Sequence, residues 1–492
     1  MPKILPNSHA TAFLQQSQIP SFIDGDWSTS QASLAVIDPA TGASVASVAA
    51  ADQAVVDQAM QAAHRAFPEW SGMPVAARAA CLHRLADKIR ENLETLAQLE
   101  SIDVGKPIEN SRGFDIPFGA DCFDYFAQLS ERASYTTPLE LTDIDARVER
   151  KPYGPCGFIF PWNFPFTLFC WGTAPALAAG NTVVVKASEV TPLATLYLGK
   201  LIKEAGIPDG VINIFTGEGS VCGQPLAEHS LLKHMSFTGS PQIGKLIGKI
   251  CGERLVPCKL ELGGKGAALI THDADLAAAA EGLAAAITLN TGQVCCTATR
   301  WFVHASVQDQ FTELVSAALQ KTNIGSSLDE ATQMGPLVSK TQLDRVTNYY
   351  QKGLAEGATA VLELEVNSDA STNSGYFLKP HLLTGDEDNI CYKEEIFGPT
   401  AYIVPFDNEA DAVERINRLS YGLANSVWST DLERANQLAG KLVAGNSWIN
   451  AHNVFAYGLP YGGVNLSGLG GGVNSPETFY GYLRNQTIAR PL

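Results

Sequence analysis

The sequence predicts an α/β protein built from two successive parallel sheets, with helices between the strands. Segments typical of strands and helices alternate from about residue 155 to residue 262, and the alternation resumes after residue 300. The strand-like segments are short and apolar, which suits strands buried on both faces of a parallel sheet. A chain of 492 residues also exceeds what one hydrophobic core usually supports, so we expect two or three domains.

The first series begins with an apolar helix that Gly180-Asn181 is expected to end, because these residues favour the left-handed conformation that closes a helix. Short apolar runs then alternate with segments of helical periodicity. In chain order the predictions are a helix at 174–179, a strand at 182–185, a helix at 193–205, strands at 211–215 and 234–237, a helix at 242–251 and a strand at 258–262.

The second series follows a boundary near 262–275. Its predictions are a strand at 301–305, helices at 308–321 and 340–356, a strand at 360–364, and further alternation at 394–406, 408–419 and 423–429. Two polar segments with β-forming residues, 139–151 and 479–492, fit neither series. We expect them to pair with each other or with another subunit.

Composition excludes several classes of function. The formal charge of −17 argues against nucleic acid or an anionic membrane as a partner. No apolar run reaches the roughly 18 residues that span a bilayer, and the opening MPKILPNSHA lacks the apolar core of a secretory signal. The ten cysteines form no CxxC pattern and the nine histidines form no HxH or HExxH pattern. We therefore expect reduced thiols, a cytoplasmic protein and no metal site.

The expected cofactor signals are indirect, because the GxGxxG fingerprint of dinucleotide binding is absent. Lys186 and Glu189 follow a predicted strand, where open α/β sheets bind ligands, and the carboxylate could accept hydrogen bonds from ribose hydroxyls. A solvated charged loop explains them equally well. Ser240 precedes a predicted helix and could contact a pyrophosphate, or it could simply cap the helix.

Four residues could carry chemistry, although each has a structural explanation too. Glu261, at the end of a predicted strand, could be a general base or a solvent-facing acid. Asn163, between two prolines, could donate to an oxyanion or close a turn. Cys295 and Cys296 follow a glycine turn that could lower a thiol pKa, but most free cysteines are core residues.

Together these segments closely resemble the aldehyde dehydrogenase superfamily of NAD(P)-dependent enzymes over nearly the whole chain. The matching motifs occur in the family's order and approximate spacing. They are FPWNFP (160–165), PALAAGNTVVVKASEVTPL (175–193), FTGS (237–240), LELGGK (260–265), GQVC (292–295), EEIFGP (394–399) and YGLANSVW (421–428).

The resemblance implies a role for each candidate. Cys295 corresponds to the nucleophile, which makes Cys296 a bystander, Glu261 to the general base and Asn163 to the oxyanion donor. The implied cofactor is NAD, with NADP less favoured because of Glu189. The cofactor-binding residues that it implies are Trp162, Lys186, Glu189, Ser240, Glu395 and Phe397.

The implied reaction is oxidation of an aldehyde to the acid through a thiohemiacetal and a thioester on Cys295. Since CoA-acylating relatives generally lack the glutamate, Glu261 favours hydrolysis of the thioester. The implied architecture is a Rossmann-like NAD-binding domain (1–127 and 148–262), a catalytic α/β domain (263–478) and a small β oligomerisation flap (128–147 and 479–492). The flap implies a homodimer or homotetramer.

The substrate tunnel implied by the resemblance is apolar and aromatic. Its residues are Phe118, Phe164, Leu168, Trp171, Val294, Phe455 and Tyr461. An uncharged aromatic or aliphatic aldehyde is therefore expected. A semialdehyde is disfavoured because relatives acting on succinic semialdehyde tend to place arginine at the position of Trp171. An aminoaldehyde or betaine aldehyde is disfavoured because Phe118 replaces an acid, although Asp115 keeps it possible.

Two other classes of function stay open: a cofactor-free cysteine hydrolase, which would not need the KASE or FTGS segments, and a catalytically silent binding protein, which often loses its nucleophile or base. One departure from the family also matters. PYGGVNLSGLGGG (460–472) has Asn465 in place of the family's lysine and Gly471-Gly472 in place of a charged pair. The expected consequence is a change in loop packing or assembly rather than in chemistry.

Overall fold

The computed structural model describes residues 5–362 and 374–492. Within these ranges the strands are β1 Ser21–Ile23, β2 Asp26–Ser28, β3 Ser33–Asp38, β4 Ala43–Ala49, β5 Thr136–Leu139, β6 Ile144–Pro152, β7 Pro155–Ile159, β8 Thr182–Ala187, β9 Ile212–Thr216, β10 His234–Gly239, β11 Cys258–Leu262, β12 Gly266–Ile270, β13 Ala298–His304, β14 Thr359–Leu362, β15 His381–Thr384, β16 Thr400–Phe406, β17 Ala424–Trp428, β18 Asn446–Ile449, β19 Gly468–Leu469 and β20 Leu483–Pro491.

The α-helices of the same ranges are α1 Ser8–Leu14, α2 Gln53–Gly72, α3 Val75–Glu91, α4 Leu93–Val104, α5 Ile108–Asn110, α6 Ile116–Arg132, α7 Pro165–Ala178, α8 Leu193–Glu204, α9 Gln224–Glu228, α10 Pro241–Glu253, α11 Leu276–Thr288, α12 Gln308–Gln320, α13 Lys340–Ala355, α14 Ile390–Lys393, α15 Glu409–Asn417, α16 Leu432–Ala439 and α17 Pro476–Tyr480. No helix of the described chain combines the length and apolar character needed to cross a bilayer.

The α/β fold is confirmed: two large sheets dominate the structure. The first sheet has the order β19-β11-β10-β7-β8-β9-β1-β2, in which β11 through β9 run parallel. The second has the order β14-β15-β16-β13-β12-β17-β18 and is parallel from β15 to β18. The predicted strand at 360–364 is present as far as Leu362, and its last two residues lie outside the described ranges.

Local sequence explains the central strands. Helix α7 ends before Gly180, whose φ of +96° suits glycine, and the Asn181 side chain accepts a hydrogen bond from the Gly154 backbone. The β-branched run of β8 then passes through the middle of the sheet, where every residue of the strand is buried.

The two polar segments pair with each other. Strand β20 lies antiparallel to β6 over nine residues, from Leu483 opposite Pro152 to Pro491 opposite Ile144, and β5 pairs with the other edge of β6. This small sheet is separate from the two large ones. The domain boundaries at 127, 147, 262 and 478 stay a prediction.

Candidate active site

The order of the first sheet creates a crevice between β7 and β10. The chain passes from β7 to β8 on one side and returns to β10 on the other, and ligands bind outside the carboxyl ends of strands at such a switch point. Asn163 follows β7, Glu189 follows β8 and Ser240 follows β10, while Glu261 lies near the carboxyl end of β11. Parallel strands thus bring residues from distant parts of the chain to one edge.

A cavity of about 290 Å³ opens at this edge. Its wall contains residues of all three predicted groups, catalytic, cofactor and substrate. The predicted residues on the wall are Trp162, Asn163, Phe164, Leu168, Trp171, Ser240, Glu261, Val294, Cys295, Glu395, Phe397, Phe455 and Tyr461. Lys186, Glu189 and Phe118 are not on its wall.

A strained turn presents the two cysteines to the cavity. Asn290, Thr291 and Gly292 have consecutive φ values of +45°, +56° and +70°. Residues other than glycine rarely adopt this left-handed conformation. The turn is held from outside: the Asn290 side chain donates to the Asn163 carbonyl at 2.8 Å, and the Thr291 hydroxyl donates to the Gly335 carbonyl at 2.9 Å. These bonds fix the backbone just before Cys295.

The two thiols have different surroundings. Cys295 is a partly exposed residue, and its Sγ lies 3.2 Å from the Tyr461 hydroxyl. Cys296 is 1% exposed, and its Sγ lies 3.2 Å from Asn453 Oδ1. Hydrogen bonding to the Cys296 thiol, and then to Tyr461, lowers the pKa of Cys295 against the opposing effect of burial. The same hydrogen bond and burial raise the pKa of Cys296 well above its usual range. Cys295 is thus the thiol that ionises more readily.

Glu261 meets the requirements of a buried base. It is 8% exposed, and its Oε2 has no hydrogen-bond partner among the described residues. Burial raises the pKa of this carboxyl, and the positive charge of Lys259 partly offsets that increase. A glycine turn approaches closely on the other side, since a Cβ on Gly462 would lie 3.3 Å from Glu261 Oε1.

The Asn163 amide points at the cysteine turn rather than at its own backbone. Its Nδ2 donates to the Gln293 carbonyl at 3.0 Å, across 130 positions of sequence. Because the side chain is buried, the amide is held rigidly beside the backbone that carries Cys295. A pre-oriented donor at this point suits an oxyanion on a carbonyl carbon that bonds to Sγ.

The residues expected to hold the adenosine end lie farther along the sheet edge. Lys186 Nζ is 2.5 Å from Glu189 Oε2, with the lysine buried and the glutamate partly exposed. The Ser240 side chain caps α10 by accepting from the Ile243 backbone at 3.4 Å. The N-terminus of this helix follows β10 and so lies at the same edge, where the helix dipole favours an anion.

The residues expected to hold the nicotinamide end come from the loop before β16. Glu395 Oε1 accepts from the Gly264 backbone at 2.9 Å, and burial raises the pKa of the Glu395 carboxyl to about 7. A side chain on Gly263 would collide with this carboxylate. Phe397 has a φ of +63° and meets the Trp162 ring edge-on at 5.3 Å. Ser240, Glu395 and Phe397 therefore all line the one cavity.

Sequence reasoning missed two residues that anchor this loop. Arg345 donates to the Glu395 carbonyl at 2.8 Å and Gln342 donates to the Phe397 carbonyl at 2.6 Å, both from α13. Both side chains line the cavity. Both side chains bind backbone carbonyls. Every residue has a backbone carbonyl, so the sequence contains no partner residue that would have indicated these contacts.

The substrate end of the cavity is aromatic. Trp171, Phe455 and Tyr461 contact one another with ring centroids 5.4 to 5.8 Å apart. Phe118 lies behind them, stacked between Phe114 at 4.9 Å and Tyr457 at 4.5 Å. Phe114, which the sequence reasoning did not select, lines the cavity, as do Leu289 and Cys296.

The acid that could have recognised a cationic substrate is already paired. Asp115 is 1% exposed, and its carboxylate accepts from Lys106 Nζ and from the Thr167 hydroxyl, each at 3.0 Å. Lys106 also donates to Glu100 at 3.0 Å. The Asp115 carboxylate is therefore bound to groups inside the protein and does not line the cavity.

The segment 460–472, which departs from the family's motif, holds Tyr461 in position. Gly470, Gly471 and Gly472 have consecutive positive φ values of +98°, +90° and +76°, and a Cβ on Gly472 would lie 2.4 Å from the Tyr461 carbonyl. The turn returns the chain so that Val473 and Tyr461 exchange backbone hydrogen bonds. The glycines thereby place the Tyr461 hydroxyl against Cys295.

No group of three or more His, Cys, Asp or Glu side chains in the described ranges is placed to hold a metal ion. His452 braces the cysteine segment instead: its Nε2 lies 2.9 Å from the Cys296 carbonyl and 3.1 Å from the Ala298 backbone nitrogen. Burial lowers the pKa of His452 to about 4, so this imidazole is neutral near pH 7.

Comparison with known proteins agrees with this geometry. A model of the aldehyde dehydrogenase family matches residues 27–488. The betaine aldehyde dehydrogenase of Rhizobium leguminosarum bv. trifolii is 37% identical over 458 residues, covering 92% of this chain and 94% of that protein.

Two solved structures resemble the whole chain. The NAD+ complex of an aldehyde dehydrogenase from Bacillus cereus has a TM-score of 0.96 at 35% identity and covers 100% of both chains. A mutant of an indole-3-acetaldehyde dehydrogenase from P. syringae, in complex with NAD+ and IAA, has a TM-score of 0.93 at 35% identity and covers 96% of both.

Proposed function

The chain belongs to the aldehyde dehydrogenase family and oxidises aldehydes with NAD, and we propose that its substrate is an uncharged aromatic or aliphatic aldehyde that reacts at Cys295. The observation that carries the proposal is the aromatic wall beside Cys295, together with the internal pairing of Asp115. A pocket of this kind gains affinity by burying apolar surface.

The reaction begins at the thiol with the lower pKa. The Cys295 thiolate forms a bond to the aldehyde carbon, and the carbonyl oxygen becomes an oxyanion. Asn163 Nδ2 and the Cys295 backbone N–H stabilise this charge. Glu189, Ser240 and Glu395 would hold NAD, which would supply the hydride acceptor for this carbon. Cys295 then carries a thioester.

The second half of the reaction uses Glu261. Its carboxylate takes a proton from water as the water oxygen attacks the thioester carbon. The carbon–sulfur bond breaks, the acid is released and Cys295 returns as a thiolate. Glu261 Oε2 has no hydrogen-bond partner in the part of the chain that the structure describes, which supports this role because that oxygen can accept the proton.

The contacts weigh against the alternative substrates. An aminoaldehyde would need a carboxylate facing its ammonium group, but the Asp115 carboxylate is paired with Lys106 inside the protein. A semialdehyde would need a cation near its carboxylate, and the cation on the cavity wall, Arg345, lies at the end of the cavity with Glu395. A cofactor-free hydrolase would not require the lining along Ser240 and Phe397.

Absorbance at 340 nm with NAD and a panel of aldehydes tests the proposal. We expect benzaldehyde and hexanal to give a higher kcat/KM than succinic semialdehyde or betaine aldehyde. Cys295→Ala should abolish NADH formation, whereas the matched Cys296→Ala should leave an active enzyme, because Cys296 stays protonated. A far higher kcat/KM for either charged aldehyde would contradict the substrate, and activity in Cys295→Ala would contradict the mechanism.

The proposal extends to assembly and compartment. The separate sheet of β5, β6 and β20 supports a homodimer or homotetramer, because its edge is available to another copy. All ten cysteines are free thiols, which supports a reducing compartment such as the cytoplasm.

A further inference from the structure

One face of strands β10 and β11 is polar although it is buried. Ser236 lies opposite Lys259 in the parallel register of the two strands, and both side chains are buried. The opposite face carries Met235 and Leu260, which belong to a hydrophobic cluster. Since side chains alternate along a strand, Lys259 and Glu261 project from the same face of β11. This face leads from the interior of the sheet to the active site.

Lys259 is an unusual residue for such a position. It is 4% exposed, and its Nζ has no hydrogen-bond partner among the described residues. The face of the Tyr482 ring lies below it, with the centroid 5.1 Å from Nζ, a contact that favours an ammonium group. Buried charges are normally paired because desolvation is costly. An unpaired buried ammonium therefore calls for a functional explanation.

The titratable groups around Lys259 come from three elements and from the segment between α17 and β20. His234 lies on β10, Cys122 on α6, Glu261 on β11 and Tyr482 between α17 and β20. Burial lowers the pKa of His234 to about 3, and the Lys259 charge acts in the same direction. Burial raises the pKa of Cys122 and of Tyr482 above their usual ranges. These three groups are neutral near pH 7, so Glu261 is the described neighbour that can carry the compensating negative charge.

The influence between Lys259 and Glu261 is mutual. Burial raises the pKa of the Glu261 carboxyl, and the Lys259 charge lowers it. Burial lowers the pKa of the Lys259 ammonium, and the Glu261 charge raises it. Each group favours the ionised form of the other. Because Lys259 Nζ is beyond hydrogen-bond distance of the carboxylate, Oε2 stays free to accept a proton from water.

We propose that Lys259 is a positioning residue that favours the ionised form of Glu261 and so sets the pH range in which the thioester on Cys295 is hydrolysed. This inference rests on the proposed function, because it takes Glu261 as the general base. Lys259 acts through its electric field and touches neither substrate nor cofactor. Burial of the Lys259 charge lowers the stability of the fold, whereas the same charge speeds the second half-reaction.

Lys259→Met is the direct test, since methionine keeps much of the length and removes the charge. An opposite charge nearby shifts a carboxyl pKa by about one to three units, so we expect the acid limb of the kcat–pH profile to move up by at least about one unit. At pH 7 the steady-state rate should fall about tenfold or more and recover at higher pH. Stopped-flow absorbance should show a first burst of NADH with its native rate, because formation of the thioester does not require Glu261.

Two control variants separate charge from structure. Lys259→Arg keeps the charge and should keep the acid limb near its native position. Lys249→Met removes an exposed charge from α10 and should change neither rate nor profile. The melting temperature of Lys259→Met should not fall, because the variant removes a buried charge and the Glu261 carboxyl can then take up a proton. A purely structural lysine would lower the melting temperature and leave the pH profile in place.

Glu261→Gln distinguishes failure of this inference from failure of the proposed function. We expect this variant to give one burst of NADH and then almost no turnover at any pH. If Glu261→Gln turns over normally, the proposed function is wrong. If Glu261→Gln behaves as expected but folded Lys259→Met has the native acid limb, the role of Lys259 alone is overturned. If neither Lys259→Met nor Lys259→Gln folds, Lys259 is needed for the stability of the sheet. That result would also overturn the proposed role of Lys259.

Discussion

At the residue scale, the site depends on a contact between positions that are far apart in sequence. The Tyr461 hydroxyl lies 3.2 Å from Cys295 Sγ, 166 positions earlier in the chain. Burial raises the pKa of Tyr461 well above its usual range, so the phenol remains protonated and can donate to a thiolate. The glycine turn at 470–472 holds the tyrosine in place. A segment that departs from the family's motif thus places the hydroxyl that contacts the proposed nucleophile.

Tyr461→Phe should weaken the nucleophile without removing the aromatic wall. A hydrogen bond to a charged group contributes about 1.5–3 kcal/mol, and one pKa unit corresponds to about 1.4 kcal/mol. We therefore expect the pKa of Cys295 to rise by about one unit, because the ionised form loses its donor. The rate of iodoacetamide inactivation, measured against pH, should shift to higher pH. Phe455→Leu, which alters the same wall and keeps the Tyr461 hydroxyl, is the control. An unchanged inactivation profile in Tyr461→Phe would contradict the role of its hydroxyl.

Sequence motifs indicate residues by the chemistry of their side chains, but they do not indicate residues whose role depends on backbone contacts or burial. Cys295, Glu261 and Asn163 carry reactive groups, so residue type and family resemblance sufficed to select them. Arg345 and Gln342 hold backbone carbonyls, and such a contact leaves no pattern in the sequence. The free oxygen of Glu261 and the unpaired Lys259 likewise depend on burial, which a single sequence does not report.

At the element scale, the strands of the parallel sheets were the most predictable part of the fold. The strand at 258–262 was predicted with both of its ends correct, and the strand at 182–185 extends two residues further, to Ala187. Buried parallel strands are short apolar runs between turn signals, which makes them visible. The hairpin of β3 and β4 was not predicted, because its strands mix exposed and buried positions.

The loop after β8 gives a prediction about the cofactor. Glu189 lies at the carboxyl end of that strand beside Lys186, and its negative charge would repel a 2′-phosphate. In Glu189→Gln we expect kcat/KM for NADP to rise and kcat/KM for NAD to fall about tenfold, because ribose loses a charged acceptor. Initial rates with both cofactors measure the change. Glu218 is an exposed acid after β9. The control variant Glu218→Gln should leave the ratio of kcat/KM for NAD and NADP unchanged. The prediction fails if the two variants have the same cofactor ratio.

At the scale of the whole molecule, the small sheet has one protected edge and one open edge. Strand β5 is four residues long and contains Pro138, which blunts pairing along that edge. Strand β20 is nine residues long, largely exposed and lies at the opposite edge of the order β20-β6-β5. A long open edge is a template for another strand, so we expect β20 to pair with a second copy of the chain.

Removal of residues 483–492 tests this expectation. The truncation keeps Tyr482, whose carbonyl accepts from the buried Asn181 side chain, and so leaves the large sheet intact. We expect light scattering after size exclusion to show a smaller assembly, because the edge that another copy would extend is gone. Arg490→Ala is the matched control: it breaks only an exposed ion pair with Asp145, a contact that contributes little, and should keep the native mass. A truncated chain with the native assembly mass would place the interface elsewhere on the molecule.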